Sequence, residues 1–220
     1  MATTLPKIPY SIAVGAQASF GFDVSKNTGE SGVSSRKAMR PILRNYMLTV
    51  NPADSDDIMK LVMVVLGSRY PFLMRDYHNN YRLQDEVLPH TADGATLGRT
   101  WVYGPMSIFE RILFIDEAER AFVVKVNGLQ VSYVVSDFGL LAISGGLVDS
   151  DVVTVTGDYL VPVCFIDAPS SSAIVNANGV TLHKFSDLRL EQIFEAEVRR
   201  LLINPNDPTD NDYASWSPAL

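Results

Sequence analysis

Apolar and polar residues alternate along much of this chain with the period of two that marks a strand lying over a core. Tyr46, Leu48 and Val50 alternate with Asn45, Met47 and Thr49, and the stretch 108–115 alternates around Glu110 and Arg111. Residues 122–126 and 129–135 flank Asn127-Gly128, a pair whose positive φ angles match the twist of joined strands, which predicts a tight hairpin. Another short strand is predicted over 140–144, between Asp137-Phe-Gly139 and Gly145-Gly146. Residues 152–156 and 159–166 read as two more. The second of these is expected at an edge or a bulge, because Pro162 has no N–H to give to a ladder.

One segment carries the helical period instead. Ile58, Leu61, Val62, Val65 and Leu66 recur at i, i+3, i+4, i+7 and i+8 behind Asn51-Pro-Ala-Asp-Ser-Asp-Asp57, which predicts a helix over 55–66. Asp54 or Ser55 suits the cap, Asp56 and Asp57 suit the positive end of the dipole, and Gly67 suits a left-handed stop. Met59, Met63 and Val64 make the rest of its surface apolar, so cover on more than one side is expected. Residues 186–202 fit both periods and are read as a strand as far as Val198. Beyond 203, Asn204-Pro-Asn-Asp-Pro-Thr-Asp-Asn-Asp212 is loop-forming; residues 206–220 form a C-terminal tail, of which 213–220 reads as flexible or docking.

Strands at such short intervals, without alternating helices, predict a mainly β (α+β) fold: a sandwich or barrel with one flanking α-helix. Residues 1–205 suffice for a single β-rich domain, with room for an inserted β lobe over 86–155. At 47% apolar and 20% charged, the composition is globular rather than disordered. A lone cysteine, Cys164, excludes an intrachain disulfide framework and a multi-cysteine zinc site. Residues 1–10 lack an apolar signal core. The longest mostly apolar stretch, 58–66, is interrupted by Lys60, whereas a bilayer span needs roughly 20 residues; neither secretion nor membrane insertion is expected.

The net charge of −7 argues against a general nucleic-acid-binding surface, but it is unevenly spread. Residues 1–84 hold ten Lys/Arg against six Asp/Glu, and residues 85–220 hold eight against nineteen. A basic cluster of Arg36, Lys37, Arg40 and Arg44 contrasts with acidic runs at Asp116, Glu117, Glu119 and at Glu191, Glu195, Glu197. Such a polarity suits subunits that stack.

Catalytic constellations are weak. Gly29-Glu30-Ser31-Gly32 has the look of a serine-protease turn, yet no acid or histidine can be assigned to activate it, and a loop is the plainer reading. His78, His90 and His183 share no metal-ligand spacing, and Asp76-Tyr77-His78 supplies at most two ligands. The Asp/Asn-rich run at 204–212 lacks the glycine and closing glutamate of a Ca²⁺ loop. Cys164 sits in an apolar strand and reads as a small buried hydrophobe. No enzyme, metal or cofactor is expected. Trp101, Tyr103 and Tyr81 offer a sugar-stacking platform, the alternative being that the chain is a carbohydrate- or receptor-binding β-sandwich module.

Several segments, read in order, carry a resemblance. They begin with Ile8-Pro-Tyr-Ser-Ile-Ala-Val-Gly-Ala16 and the Gly/Ser stretch 29–37, then Arg69-Tyr-Pro-Phe-Leu-Met-Arg-Asp-Tyr77 with its Arg75-Asp76 pair. They continue with Phe122-Val-Val-Lys-Val-Asn-Gly128, Tyr133-Val-Val-Ser-Asp-Phe-Gly-Leu140, Asp151-Val-Val-Thr-Val-Thr-Gly157 and Tyr159-Leu-Val-Pro-Val-Cys-Phe-Ile-Asp167. Across residues 8–199 this order resembles the distal tail proteins of tailed phages and gene-transfer agents. Cys164 stands where that family usually has Arg, and Pro71-Phe72 where it has Gly-Phe.

The resemblance implies a virion structural protein with a tail-tube-type β-sandwich. It implies six copies in a ring, tail tube protein above and hub protein below, assembled in the host cytoplasm and passing DNA through the lumen without specific binding. Arg36, Lys37, Arg40 and Arg44 with Ile58, Leu61, Val62, Val65 and Leu66 are then the expected ring contacts, and Arg75-Asp76 an ion pair fixing a strand end. The segment 25–35 is expected to order on assembly.

Overall fold

The computed structural model describes residues 5–21, 24–28, 34–38, 43–79, 81–136, 138–175, 181–185 and 187–202. Strands account for 48% of the chain and helices for 15%, which makes the fold mainly β with a flanking helix, as the strand spacing predicts. In chain order the elements are α1 (Tyr10–Ala13), β1 (Gln17–Gly21), β2 (Val24–Thr28), β3 (Ser34–Ala38), β4 (Leu43–Leu48), α2 (Ser55–Val64), β5 (Phe72–Met74) and β6 (Arg82–Leu88). There follow β7 (His90–Thr91), β8 (Gly94–Thr96), β9 (Gly98–Tyr103), β10 (Met106–Arg111), β11 (Phe114–Asp116), β12 (Val123–Val126), β13 (Leu129–Gln130), β14 (Tyr133–Ser136) and β15 (Leu140–Ile143). The chain continues through β16 (Val153–Phe165), β17 (Ser171–Val175), β18 (Thr181–Phe185), β19 (Leu188–Gln192) and α3 (Glu195–Leu202).

Everything is arranged about β16. The main sheet runs β1-β4-β19-β16-β12-β13, with β5, β6 and β11 also paired to β16. Val163 has Phe72 on one side and Gln192 on the other, Asp158 lies between Arg82 and Asp116, and Val153 between Leu88 and Val126. All of these ladders are antiparallel. Hairpins β2–β3, β9–β10 and β17–β18 and a four-stranded sheet β14-β15-β8-β7 complete the set.

Two expectations about this region are corrected. The stretches 152–156 and 159–166 are one thirteen-residue strand, and Pro162 lies inside it with partners on both flanks rather than at an edge. The proline is tolerated because the β19 ladder ends beside it: Gln192 is the last strand residue, and the Ile193 N–H donates 3.0 Å to the Pro162 carbonyl. Strand 108–115 is instead broken into β10 and β11 at Ile112-Leu113, two consecutive buried residues that leave the alternation, and the Ile112 N–H bonds the Leu97 carbonyl.

From Gly157 to Phe165 every residue of β16 is buried, so this half of the strand is covered on both faces. Tyr159, Val161, Val163 and Phe165 face the main cluster, which includes Tyr46, Ile58, Phe72 and Leu190. Leu160 and Cys164 face a second cluster built from Leu5, Leu73, Leu113, Phe138, Ile193 and Val198. That second face decides the ambiguous segment 186–202. Strand pairing ends at Gln192, and α3 begins at Glu195 so that Val198 closes the outer cluster, correcting the strand reading to Val198. Glu197 accepts a hydrogen bond from the Phe194 N–H at 3.2 Å, one half of a capping box, and so starts the helix.

The Asn127-Gly128 hairpin forms as predicted, with φ of 52° and 83°. Helix α2 covers Ser55–Val64; Asp54 is the N-cap residue, without a side-chain cap bond, and Gly67 takes φ 71° as the stop. Leu66 lies beyond the helix at φ 51°. Part of the 25–35 stretch, read as a loop, belongs to β2 and β3, which pair Ser25 with Lys37 and Asn27 with Ser35. Residues 29–33 and the tail 206–220 lie outside the described residues. In the 86–155 segment, Ala95, Leu97, Leu141 and Leu147 belong to the same buried cluster as Tyr46 and Ile58.

Candidate functional site

The most chemically concentrated part of the molecule begins where β5 stops. Arg75 and Asp76 follow Met74 directly, and adjacent residues of an extended chain point to opposite sides. Both are buried, with 1% exposure each, and each enters a different ionic network. Each of the two residues forms ion pairs with distant parts of the chain.

Arg75 is held from three directions. Its Nη2 lies 2.5 Å from Asp116 Oδ2, its Nη1 2.8 Å from Glu119 Oε2, and its Nη2 4.0 Å from Asp158 Oδ2. The guanidinium also stacks over Tyr10 at 4.0 Å and Tyr81 at 4.7 Å from the ring centroids. Asp116 accepts further hydrogen bonds from the Tyr10 hydroxyl at 2.8 Å and the Ala118 N–H at 3.3 Å, and pairs with Lys7 at 3.3 Å. Arg82 Nε reaches Asp158 Oδ1 at 3.2 Å, while Asp158 Oδ2 is buried with no hydrogen-bond partner.

Asp76 turns the other way. It accepts a hydrogen bond from the Tyr46 hydroxyl at 2.9 Å and lies 3.8 Å from Arg44 Nε. Arg44 in turn grips Glu110 at 2.5 Å and donates to Gln192 Oε1 at 3.4 Å. Trp101 Nε1 donates to the same Glu110 at 2.8 Å. Arg44, expected in a surface basic cluster, is thus a core residue; a side chain on the inward face of β4 is buried whatever its charge when carboxylates wait there. Arg36 and Lys37 lie on β3 with side chains outside the described residues, and Arg40 lies outside them altogether.

Hydrogen bonds and ion pairs outweigh burial at the centre of both networks. Burial alone would raise the Asp116 carboxyl, but the hydrogen bonds of Arg75, Tyr10 and Ala118 and the charge of Lys7 hold it below the usual carboxylate range. The Tyr10 hydroxyl is pushed up to about 12 by burial and by its bond to Asp116. Burial alone would lower Arg44, yet the hydrogen bond and charge of Glu110 raise it. Burial pushes the Cys164 thiol up to about 12, with Glu191 and Glu197 adding to it, so the thiolate needed for nucleophilic chemistry is suppressed.

A pH dependence follows from Asp116. Its folded pKa lies below the unfolded value of about 3.9, so its contribution is complete above that value and is lost as pH falls through the folded pKa. Urea midpoints measured from neutral pH down to pH about 2 should fall more steeply for the wild type than for Asp116→Asn. Parallel acid limbs for the two proteins would remove Asp116 from this account.

The remaining sequence candidates are dispersed. His78 bonds the Ala16 carbonyl through Nε2, and its backbone N–H donates to Asp76 Oδ1 at 3.1 Å. His90 Nε2 bonds the Asp151 carbonyl at 2.8 Å, and the His183 side chain lies outside the described residues. Among the described residues no group of three His, Cys, Asp or Glu is placed to hold a metal ion. Tyr81 is engaged by Arg75 and Trp101 by Glu110, and the Tyr103 side chain lies outside the described residues. Of the helix positions, Ile58, Leu61 and Val65 belong to the core of this chain and are not available at its surface, Val62 is half-buried and Leu66 is exposed.

Sequence reasoning missed Glu110, Asp116, Asp158 and Gln192 as partners, because a buried carboxylate in a strand has the same local pattern as a solvated one. It also missed a cleft of about 250 Å³ between β10, β16 and the 192–195 turn. Ile108, Phe109, Leu113, Val161 and Ile193 supply its apolar lining, and the Arg111–Glu195 ion pair stands at its rim. No protein-family model matches the chain, and no curated protein matches it.

Proposed function

We propose that this chain is a structural subunit of a phage-type tail, a distal-tail-like protein whose copies close into a ring, six by the resemblance, between tail tube and baseplate hub. The observation that carries the reading is the ordered set of segments over residues 8–199, with Arg75-Asp76 at its centre. The buried networks supply a physical reason for that pair in an assembly protein: two adjacent residues tie β4, β10 and β11 to the end of β5. In this reading the ionisable groups with perturbed chemistry hold a shape rather than turn over a substrate. DNA passes the acidic half of the chain without adhering, because like charges repel.

The outer side of helix α2 and the turn that follows it offer the ring contact. Met63 is 68% exposed and Leu66 58% exposed, while Ile58, Leu61 and Val65 anchor the helix from beneath. Met63→Asp with Leu66→Asp should leave the unfolding temperature nearly unchanged, as surface substitutions do. The same pair should reduce the ring population by about tenfold or more in native mass spectrometry, tenfold being the effect of roughly 1.4 kcal/mol in total. A wild-type chain that stays monomeric at every concentration, or a ring indifferent to both substitutions, defeats the proposal or its interface respectively.

A further inference from the structure

The turn between β12 and β13 carries a reactive pair that the ring reading leaves unused. In an Asn-Gly sequence the backbone nitrogen of the glycine meets the asparagine amide with no side chain in the way. Asn127 and Gly128 are both exposed, and nothing lies within 4 Å of where a Cβ on Gly128 would stand, so no neighbour shields that side of the turn.

The chemistry open to such a pair exchanges bonds without changing any oxidation state. Hydroxide takes the proton of the Gly128 N–H, and the nitrogen attacks Cγ of Asn127. The N–Cγ bond forms, the Cγ–Nδ2 bond breaks, and Nδ2 leaves as ammonia with a proton from water. Water then opens the cyclic imide at either carbonyl, giving aspartate or isoaspartate.

The way Asn127 is held sets it apart from a free asparagine. Its Nδ2 donates to Asp151 Oδ1 at 2.8 Å, and its Oδ1 accepts the Val152 N–H at 2.9 Å. Its own N–H donates to the Val152 carbonyl at 2.9 Å. Asp151 is fixed in turn: Oδ2 accepts the Val148 N–H at 2.9 Å, and its carbonyl bonds His90 Nε2 at 2.8 Å. The Val148 N–H and the Asn127 amide hold the Asp151 carboxyl below the usual carboxylate range, so it stays an acceptor at neutral and alkaline pH. Cyclisation must turn the amide out of this clamp and break both side-chain hydrogen bonds.

The product cannot return to it. A carboxylate at 127 has no donor for Asp151 and sets negative oxygens face to face. Isoaspartate also adds a backbone atom to a two-residue turn whose φ angles, 52° and 83°, match the strand twist. We infer that Asn127 is a site of spontaneous deamidation, that the Asp151 clamp sets its rate, and that conversion releases the β12–β13 turn from residues 148–152. Because no step restores the amide, the converted fraction records the age of the chain.

Peptide mapping of the full-length protein, aged in mildly alkaline buffer, reads the conversion as the mass gain of an acid over an amide. Asp151→Ala should convert Asn127 several-fold faster than the wild type, both being aged well below their own unfolding transitions. A comparison that needs no substitution sets the folded wild type against the same chain in urea, where conversion should again be several-fold faster. Equal rates in either comparison, or no conversion of Asn127 in any sample, overturn the inference. Asn127→Asp, the product itself, tests the release: amide exchange over 148–152 should rise several-fold while that over 160–165 stays as it was. Unchanged exchange at 148–152 overturns that step.

Discussion

Arg75→Ala is expected to destabilise the protein by about 3–5 kcal/mol, the range for removing one partner of a buried ionic cluster. The reason is what the arginine leaves behind. Asp116 is fully buried, and Asp158 nearly so with one oxygen already lacking a hydrogen-bond donor. Tyr10 and Tyr81 lose the cation that their rings sandwich. Lys7 and Arg82 remain, but among the described residues each pairs with a single carboxylate, Asp116 and Asp158 respectively. If the total stability lies near the bottom of the usual range of roughly 5–15 kcal/mol, this loss leaves a substantial unfolded fraction at 37 °C. The urea midpoint is the direct measurement.

A second variant separates desolvation from lost packing. Arg75→Met with Asp116→Leu removes both charges, and it should be less destabilised than the sum of its single substitutions. Strict additivity would mean that the two groups do not depend on each other, contrary to their 2.5 Å contact.

Gly139→Ala should cost about 3 kcal/mol. Gly139 has φ 75°, a region where a side chain costs roughly 1–2 kcal/mol. A Cβ there would also stand 1.9 Å from the Ile112 carbonyl oxygen, so the backbone must move, at a further 1–3 kcal/mol or so. The glycine cannot simply retreat, because its carbonyl accepts the Leu97 N–H at 2.8 Å. Gly128→Ala is the control. Its φ is 83°, but nothing lies within 4 Å of the added carbon, so only the conformational part remains, about 1–2 kcal/mol. Equal urea midpoints for the two variants would show that the Ile112 contact yields freely.

Where the deciding force is local, the sequence is a good guide. Asn127-Gly128 needs only its own φ angles, and α2 needs only the spacing of Ile58, Leu61 and Val65 over a core. The mainly β class follows from strand spacing alone. Where the decision belongs to distant residues, the same sequence is silent. Residues 186–202 fit two periods, and the outer face of β16 chose between them by requiring Val198 as cover. Pro162 is an edge signal only if its flank needs a donor, and whether it does depends on where β19 ends. Arg75-Asp76 stands out as a motif, yet its partners lie at Arg44, Asp116, Glu119 and Asp158, brought close by the sheet and not by the chain.

The central position of β16 has a consequence in time. Its residue Val163 pairs with Phe72 of β5, about 90 positions earlier, and with Gln192 of β19, about 30 positions later. Pairing over such distances must meet the entropy of loop closure before any ladder bond repays it, which makes folding slow. On the ribosome, at about 5–20 residues per second, β5 and β6 wait several seconds for β16 to emerge, and β16 waits again for β19. Through that interval the strand edges and the apolar faces that β16 will cover stand open to neighbouring chains. The chain is therefore most exposed to misassembly before it has finished being synthesised.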